Sequence, residues 1–144
     1  MKRLITLFVC LGVSFACVDD GVRLGSPHWN KTVCSRCRMA LTVPSHAAQI
    51  VGPGTQIHYF DDLGCAVAYQ KSHPRLREGK IFVVAQDGWI EATKARFKDG
   101  AETPMGYGII PAKAGTLTFE DARTLLLERT SRHRARETHP AKDT

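Results

Sequence analysis

The stretch Cys34-Ser35-Arg36-Cys37-Arg38-Met39 constrains this chain more than any other. It places two thiols and a thioether within six residues, with two arginines between them. A Cys-x-x-Cys pair can close a disulfide, supply half of a zinc site or act as a redox couple. Each outcome fixes the local backbone in a different way. The added methionine points toward a soft ion, because thioether sulfur is a poor ligand for zinc and a good one for Cu(I). In extended chain, residues two apart face the same side, so Cys37 and Met39 can aim at one point. Cys34 can return to that point through a turn at Ser35-Arg36. The arginines favour thiolate, the form that binds metal. The bland alternative is a Cys34–Cys37 disulfide with Met39 filling the core. Haem attachment would need histidine after the second cysteine, and Arg38 stands there. A thioredoxin-like site would need the pair to open a helix after a strand. "MALTVP" after Cys37 is a poor helix.

The other cysteines depend on how the start of the chain is read. "MKR" followed by "LITLFVCLGVSFA" has the layout of a secretory leader over residues 1–16. The run is shorter than the roughly 20 apolar residues of a membrane span. Ser14-Phe15-Ala16 before Cys17 approximates a lipobox, which assigns Cys17 as the lipidated first residue of the mature protein. An ordinary signal peptidase could also cut there. On this reading Cys10 departs with the leader. Cys34, Cys37 and Cys65 remain, and three thiols cannot all pair within one chain.

At 144 residues, with 43% hydrophobic and 24% charged residues, the chain suits one globular domain. The net charge of +6 is concentrated at the ends, with Lys2 and Arg3 in the leader and Arg129, Arg132, Arg134, Arg136 and Lys142 near the C-terminus. Nucleic acid is not an expected partner of an exported protein, and a solvated tail near anionic lipid explains the charge. Residues 17–30 read as a tether, 31–131 as the folded domain and 132–144 as a disordered basic tail.

Within the domain, 47–51 and 55–60 read as strands joined by a Gly-Pro-Gly turn. Residues 61–72 read as a helix capped by Asp61 or Asp62 and ended by Pro74. Three strands follow, at 80–86, 89–97 and 106–114. A helix over 118–132 starts at a Thr118/Asp121 capping box. The order β-β-α-β-β-β-α gives an α+β class with a mainly antiparallel sheet and two helices. Cys65 falls in the first turn of the first helix, where a small packing residue is the ordinary explanation. Asp61 and Asp62 are expected as caps.

Taken in order, "CSRCRM", "AAQIV", "HYFDDLGCAVAY", "WIEATKARF", "TPMGYGIIPA" and "LTFEDARTLL" resemble the NosL family, the nitrous oxide reductase accessory lipoproteins. The resemblance covers about residues 30 to 130. It implies a Cu(I) chaperone, not an enzyme, anchored by lipid on the periplasmic side of a bacterial membrane. The implied partners are nitrous oxide reductase and the ABC-type complex that assembles its copper-sulfide cluster. The family's Cys-x-Met ligands map onto Cys37 and Met39, and Cys34 completes the wider pattern. That family usually has glycine where Arg38 stands. Met105, in a Pro-Met-Gly turn, is a candidate extra ligand or a core filler. Two other classes compete. "CRM…HYFDDLGC" faintly resembles the zinc-binding TRASH or YHS modules, with aspartates where those place a further thiol. Cys34 and Cys37 could also serve a thiol oxidoreductase. No Ser/His/Asp constellation, phosphate-cradling glycine loop or paired-carboxylate site stands out.

Overall fold

The computed structural model describes residues 21–86 and 88–138. The leader, Cys17 and residues 139–144 lie outside them. The fold is the expected α+β class. Strands β1 (Ala48–Val51), β2 (Ile57–Phe60), β3 (Lys80–Ala85) and β4 (Gly88–Glu91) form one antiparallel sheet in the order β2-β1-β3-β4. The register sets Gln49 opposite Tyr59 on one side and Phe82 on the other. Helix α1 (Leu63–Ser72) connects β2 to β3. Strands β5 (Phe97–Lys98) and β6 (Ile110–Pro111) make a separate two-stranded ladder, and α2 (Phe119–Thr138) ends the described chain.

Each helix forms for a local reason. The Asp62 side chain accepts a hydrogen bond from the Gly64 backbone N–H at 2.8 Å and caps α1. The Thr118/Asp121 box forms as expected: the Thr118 N–H donates to Asp121 at 3.0 Å, and the Asp121 N–H donates to Thr118 Oγ1 at 3.2 Å. Phe119, Ala122, Leu126 and Thr130 make the buried stripe of α2. Helix α1 has no such polarity. Leu63 through Ala68 are all buried, because α1 packs on β1 and β2 and also on α2. Its small residues allow that close approach. At Gly64 an added Cβ would lie 2.2 Å from the Tyr107 ring.

Three boundaries differ from expectation. The strand expected over 89–97 breaks at a single 3-10 turn, Ala92–Lys94. Alanine and lysine support a strand poorly, and the chain there leaves the main sheet for the second ladder. The strand expected over 106–114 shrinks to Ile110–Pro111, since Gly106 and Gly108 both adopt positive φ. The tail expected from 132 is helical as far as Thr138. Arg and Ala there are good helix formers, and Glu128 pairs with Arg132 one turn on.

The segment expected as a tether is held against the sheet over part of its length. Gln49 is fully buried on β1, and its amide must be satisfied. It does so with Gly25, accepting from the Gly25 N–H at 2.9 Å and donating to the Gly25 carbonyl at 3.3 Å. Gly25 is required by space, because a Cβ would fall on the Tyr59 hydroxyl.

Replacing Gly64 by Ala drives a methyl into the Tyr107 ring. The expected loss is about 1–3 kcal/mol, the usual range for overpacking, with the urea midpoint as readout and an unchanged m-value.

Candidate metal centre

The segment before β1 forms a small hairpin. Val33 and Ala40 make an antiparallel bridge, flanked by Cys34 N–H donating to the Met39 carbonyl at 2.8 Å and Leu41 N–H donating to that of Thr32 at 2.9 Å. The Arg38 N–H also donates to the Cys34 carbonyl, at 3.1 Å. Arg38 and Met39 thus both stand opposite Cys34, as at a bulge whose first residue is left-handed. Arg38 has φ 68°, a conformation that suits glycine and that costs other residues about 1–2 kcal/mol. The hairpin is fixed to the main sheet by the Ser35 N–H, which donates to the Tyr59 carbonyl at 2.8 Å.

That anchor brings the hairpin tip over the start of α1. Four side chains converge there: Cys34, Cys37, Asp61 and Cys65. One donor atom of each lies within 4.8 Å of the others. Asp61 follows β2 directly, and Cys65 sits three residues after the Asp62 cap, so the β2–α1 junction aims both at the hairpin. Cys34 and Cys65 are fully buried and Asp61 is 3% exposed, while Cys37 is half-buried at the edge. This group can hold a metal ion. All three cysteines are free thiols, and no disulfide joins Cys34 to Cys37.

The members of the group are tied to one another and to their surroundings by hydrogen bonds. Cys37 Sγ donates to Asp61 Oδ1 at 3.2 Å. Asp61 Oδ2 is buried with no protein partner among the described residues. Arg36 Nη1 reaches across to Cys65 Sγ at 3.8 Å and donates to the Tyr107 hydroxyl at 2.7 Å. A hydrogen bond from the Cys65 thiol lowers Cys34 to about 4, against the opposing effect of burial. The same pairing, reinforced by burial, pushes Cys65 well up. Burial pushes Cys37 up to about 12. Burial also raises Asp61 to about 6, assisted by Cys34. Negative charge therefore settles at Cys34 and, above about pH 6, at Asp61, while the Cys37 and Cys65 thiols stay protonated.

The structure sorts the sequence-derived candidates. Cys34 and Cys37 belong to the cluster. Met39 stands opposite Cys34 in the hairpin backbone and is 42% exposed. Met105 is half-buried, packs against the hydrophobic core, and has its backbone N–H 3.3 Å from Asp62 Oδ2. Asp62 is the cap, as one of the two aspartates was expected to be. Asp61 and Cys65 were assigned to capping and packing, and both instead face the thiols of the hairpin. Helical periodicity gave no signal for the pair, because Asp61 precedes the extended Asp62 cap and lies outside the helix. Donor chemistry narrows the ions. Three sulfurs suit Cu(I) or Zn(II), and a carboxylate oxygen is a recognised zinc ligand.

Set against family models, characterised proteins and solved structures, the chain finds no match in any of the three.

Three outcomes follow from this geometry. Arg38→Gly relieves the left-handed strain and, after the added entropy of glycine, raises stability by up to about 1 kcal/mol in denaturant titration. Metal loading displaces the Cys37 proton, because that thiol is protonated at every pH below about 12. Apparent metal affinity therefore rises with pH through the neutral range, roughly tenfold per unit for that one proton, in competition titrations. Cys65→Ser lowers the affinity for either ion.

Proposed function

We propose that this chain is a Cu(I) carrier, not an enzyme. It holds the ion through Cys34, Cys37 and Cys65 and passes it on at the edge formed by Cys37 and Met39. The observation that carries this reading is the convergence of three thiol sulfurs at a rim. One of those thiols, Cys37, is only half-buried, and two residues further along the chain Met39 is exposed. Soft donors select the cuprous ion, and an accessible ligand gives a recipient somewhere to attack.

The ordered motifs of the chain support a narrower form of the proposal. In it, Cys17 is lipidated, the domain stands on the periplasmic side of a bacterial membrane, and copper goes to nitrous oxide reductase or its ABC-type assembly complex. Nucleic acid has no part in it.

A second reading has its own observation. Asp61, buried with one unpartnered oxygen, completes a four-ligand set that fits a tetrahedral zinc module of TRASH or YHS type. In that module three thiolates and the Asp61 carboxylate stand against the divalent ion and Arg36, which leaves one net negative charge.

Anaerobic titration of the reduced chain separates the two. The carrier reading expects about one Cu(I) per chain, not displaced by Zn(II), with about one proton released near pH 7 because Cys34 is already ionised. It also expects the affinity to fall by an order of magnitude or more in Cys37→Ser with Met39→Ala, as soft ligands are lost. The zinc reading expects about two protons released per ion, indifference to Met39→Ala and strong weakening by Asp61→Asn. Unchanged Cu(I) binding after removal of Cys37 and Met39 would falsify the carrier assignment.

A further inference from the structure

Helices α1 and α2 pack against each other but leave an open groove of about 470 Å³ along one side. Three cations line it: Arg36 from the hairpin, Lys71 from the last turn of α1, and Arg134 from α2. No Asp or Glu lines it among the described residues. Its floor is small and apolar, with Ala68 and Leu127.

The contrast with the outer side of α2 matters. Arg132 there has Glu128 one turn away, and Arg129 is paired with Asp99. Lys71 and Arg134 have no carboxylate partner in the described chain, and they meet across one concave space. The bonds of Arg36 to Cys65 and Tyr107 both run through Nη1. Its Nε and Nη2 have no protein partner among the described residues. The hydroxyls nearby add no donors. Thr130 and Ser131 both donate to the Leu127 carbonyl, at 3.1 and 2.8 Å.

Three like charges around one cavity raise its potential, and low-dielectric walls focus it. An anion with oxygens on several sides answers three cations arriving from three elements better than a planar carboxylate does. Arginine supplies a fork of donors for such an oxyanion and lysine a point charge.

The geometry points to the groove between α1 and α2 as a binding site for a phosphate group, held by Arg36, Lys71 and Arg134. Because Arg36 also holds Cys65, the site adjoins the metal centre through one guanidinium. The claim does not depend on which metal that centre takes. The phosphate could belong to a soluble phosphate compound or to the diester headgroup of a lipid. Both share the chemistry that the groove recognises.

The experiment uses the full reduced chain, with two probes titrated separately at low salt and followed by calorimetry and amide NMR shifts. One probe is inorganic phosphate. The other is a short-chain phosphatidylglycerol kept below its micelle concentration. The expected result is saturable one-to-one binding of at least one probe, with shifts at Lys71 and Arg134. Lys71→Ala with Arg134→Ala should lower that affinity about tenfold, since two charge-assisted contacts are removed. Arg132→Ala with Arg136→Ala removes the same charge from α2 outside the groove, and should change it by less than about twofold. Tighter binding of inorganic phosphate identifies a soluble ligand, and tighter binding of the diester identifies a lipid headgroup. Either supports the site. No saturable binding of either probe, or equal weakening by both double variants, overturns it, because the attraction would then be absent or merely that of net charge.

Discussion

The structure turns on the two-residue junction between β2 and α1. Two adjacent aspartates stand there and do different work. Asp62 turns inward, caps α1 through the Gly64 N–H, and accepts from the Met105 N–H as well. It thereby fixes where the helix begins and where the loop before Tyr107 lies. Asp61 is left facing the other way, toward the thiols. Shifting the helix start by one residue would exchange these roles. Cys65 would rotate by about 100° with it, since an α-helix turns once per 3.6 residues. The position of every donor from this half of the site therefore depends on one capping hydrogen bond.

The other half depends on the sheet. The hairpin tip has little apolar surface of its own, and Cys34 is its one fully buried side chain. What holds the tip in place is the Ser35 bond to the Tyr59 carbonyl, with Arg36 reaching on to Tyr107. Tyr107 in turn packs on Gly64, offers its carbonyl to Arg129 and meets the edge of His133. Arg36 of the hairpin, the Gly64 backbone of α1 and His133 of α2 thus meet at one phenol ring. That arrangement links α2 to the metal centre without any residue of α2 entering it.

Much of this was legible in the sequence. The short strand-like runs at 47–51 and 55–60 around a Gly-Pro-Gly turn, the change to helical period after Asp61-Asp62, and the Thr118/Asp121 box each rest on local chemistry, and each formed. The thiol pair was legible for the same reason, since Cys34 and Cys37 are close in sequence. What was not legible depended on contacts between distant segments. Cys65 and Asp61 look ordinary at a helix start until the hairpin is folded over them. Gly25 looks like part of a linker until buried Gln49, 24 residues away, claims both of its backbone groups. The strand expected over 89–97 failed because alternation alone does not say where a chain must change sheets. The helix beyond residue 132 was obscured by its arginines, which read as a solvated tail although their helix propensity is high.

The four donors come from only two short stretches, 34–37 and 61–65, with the whole β1–β2 hairpin between them. An ion bound by both stretches closes that intervening chain into a ring. Such a cross-link removes conformational freedom from the unfolded state and stabilises the folded one by mass action. Occupancy and rigidity at the hairpin tip are then one thermodynamic quantity seen from two sides. A chain with an ion held between the two stretches would therefore be stiffer at the hairpin tip than the chain without one.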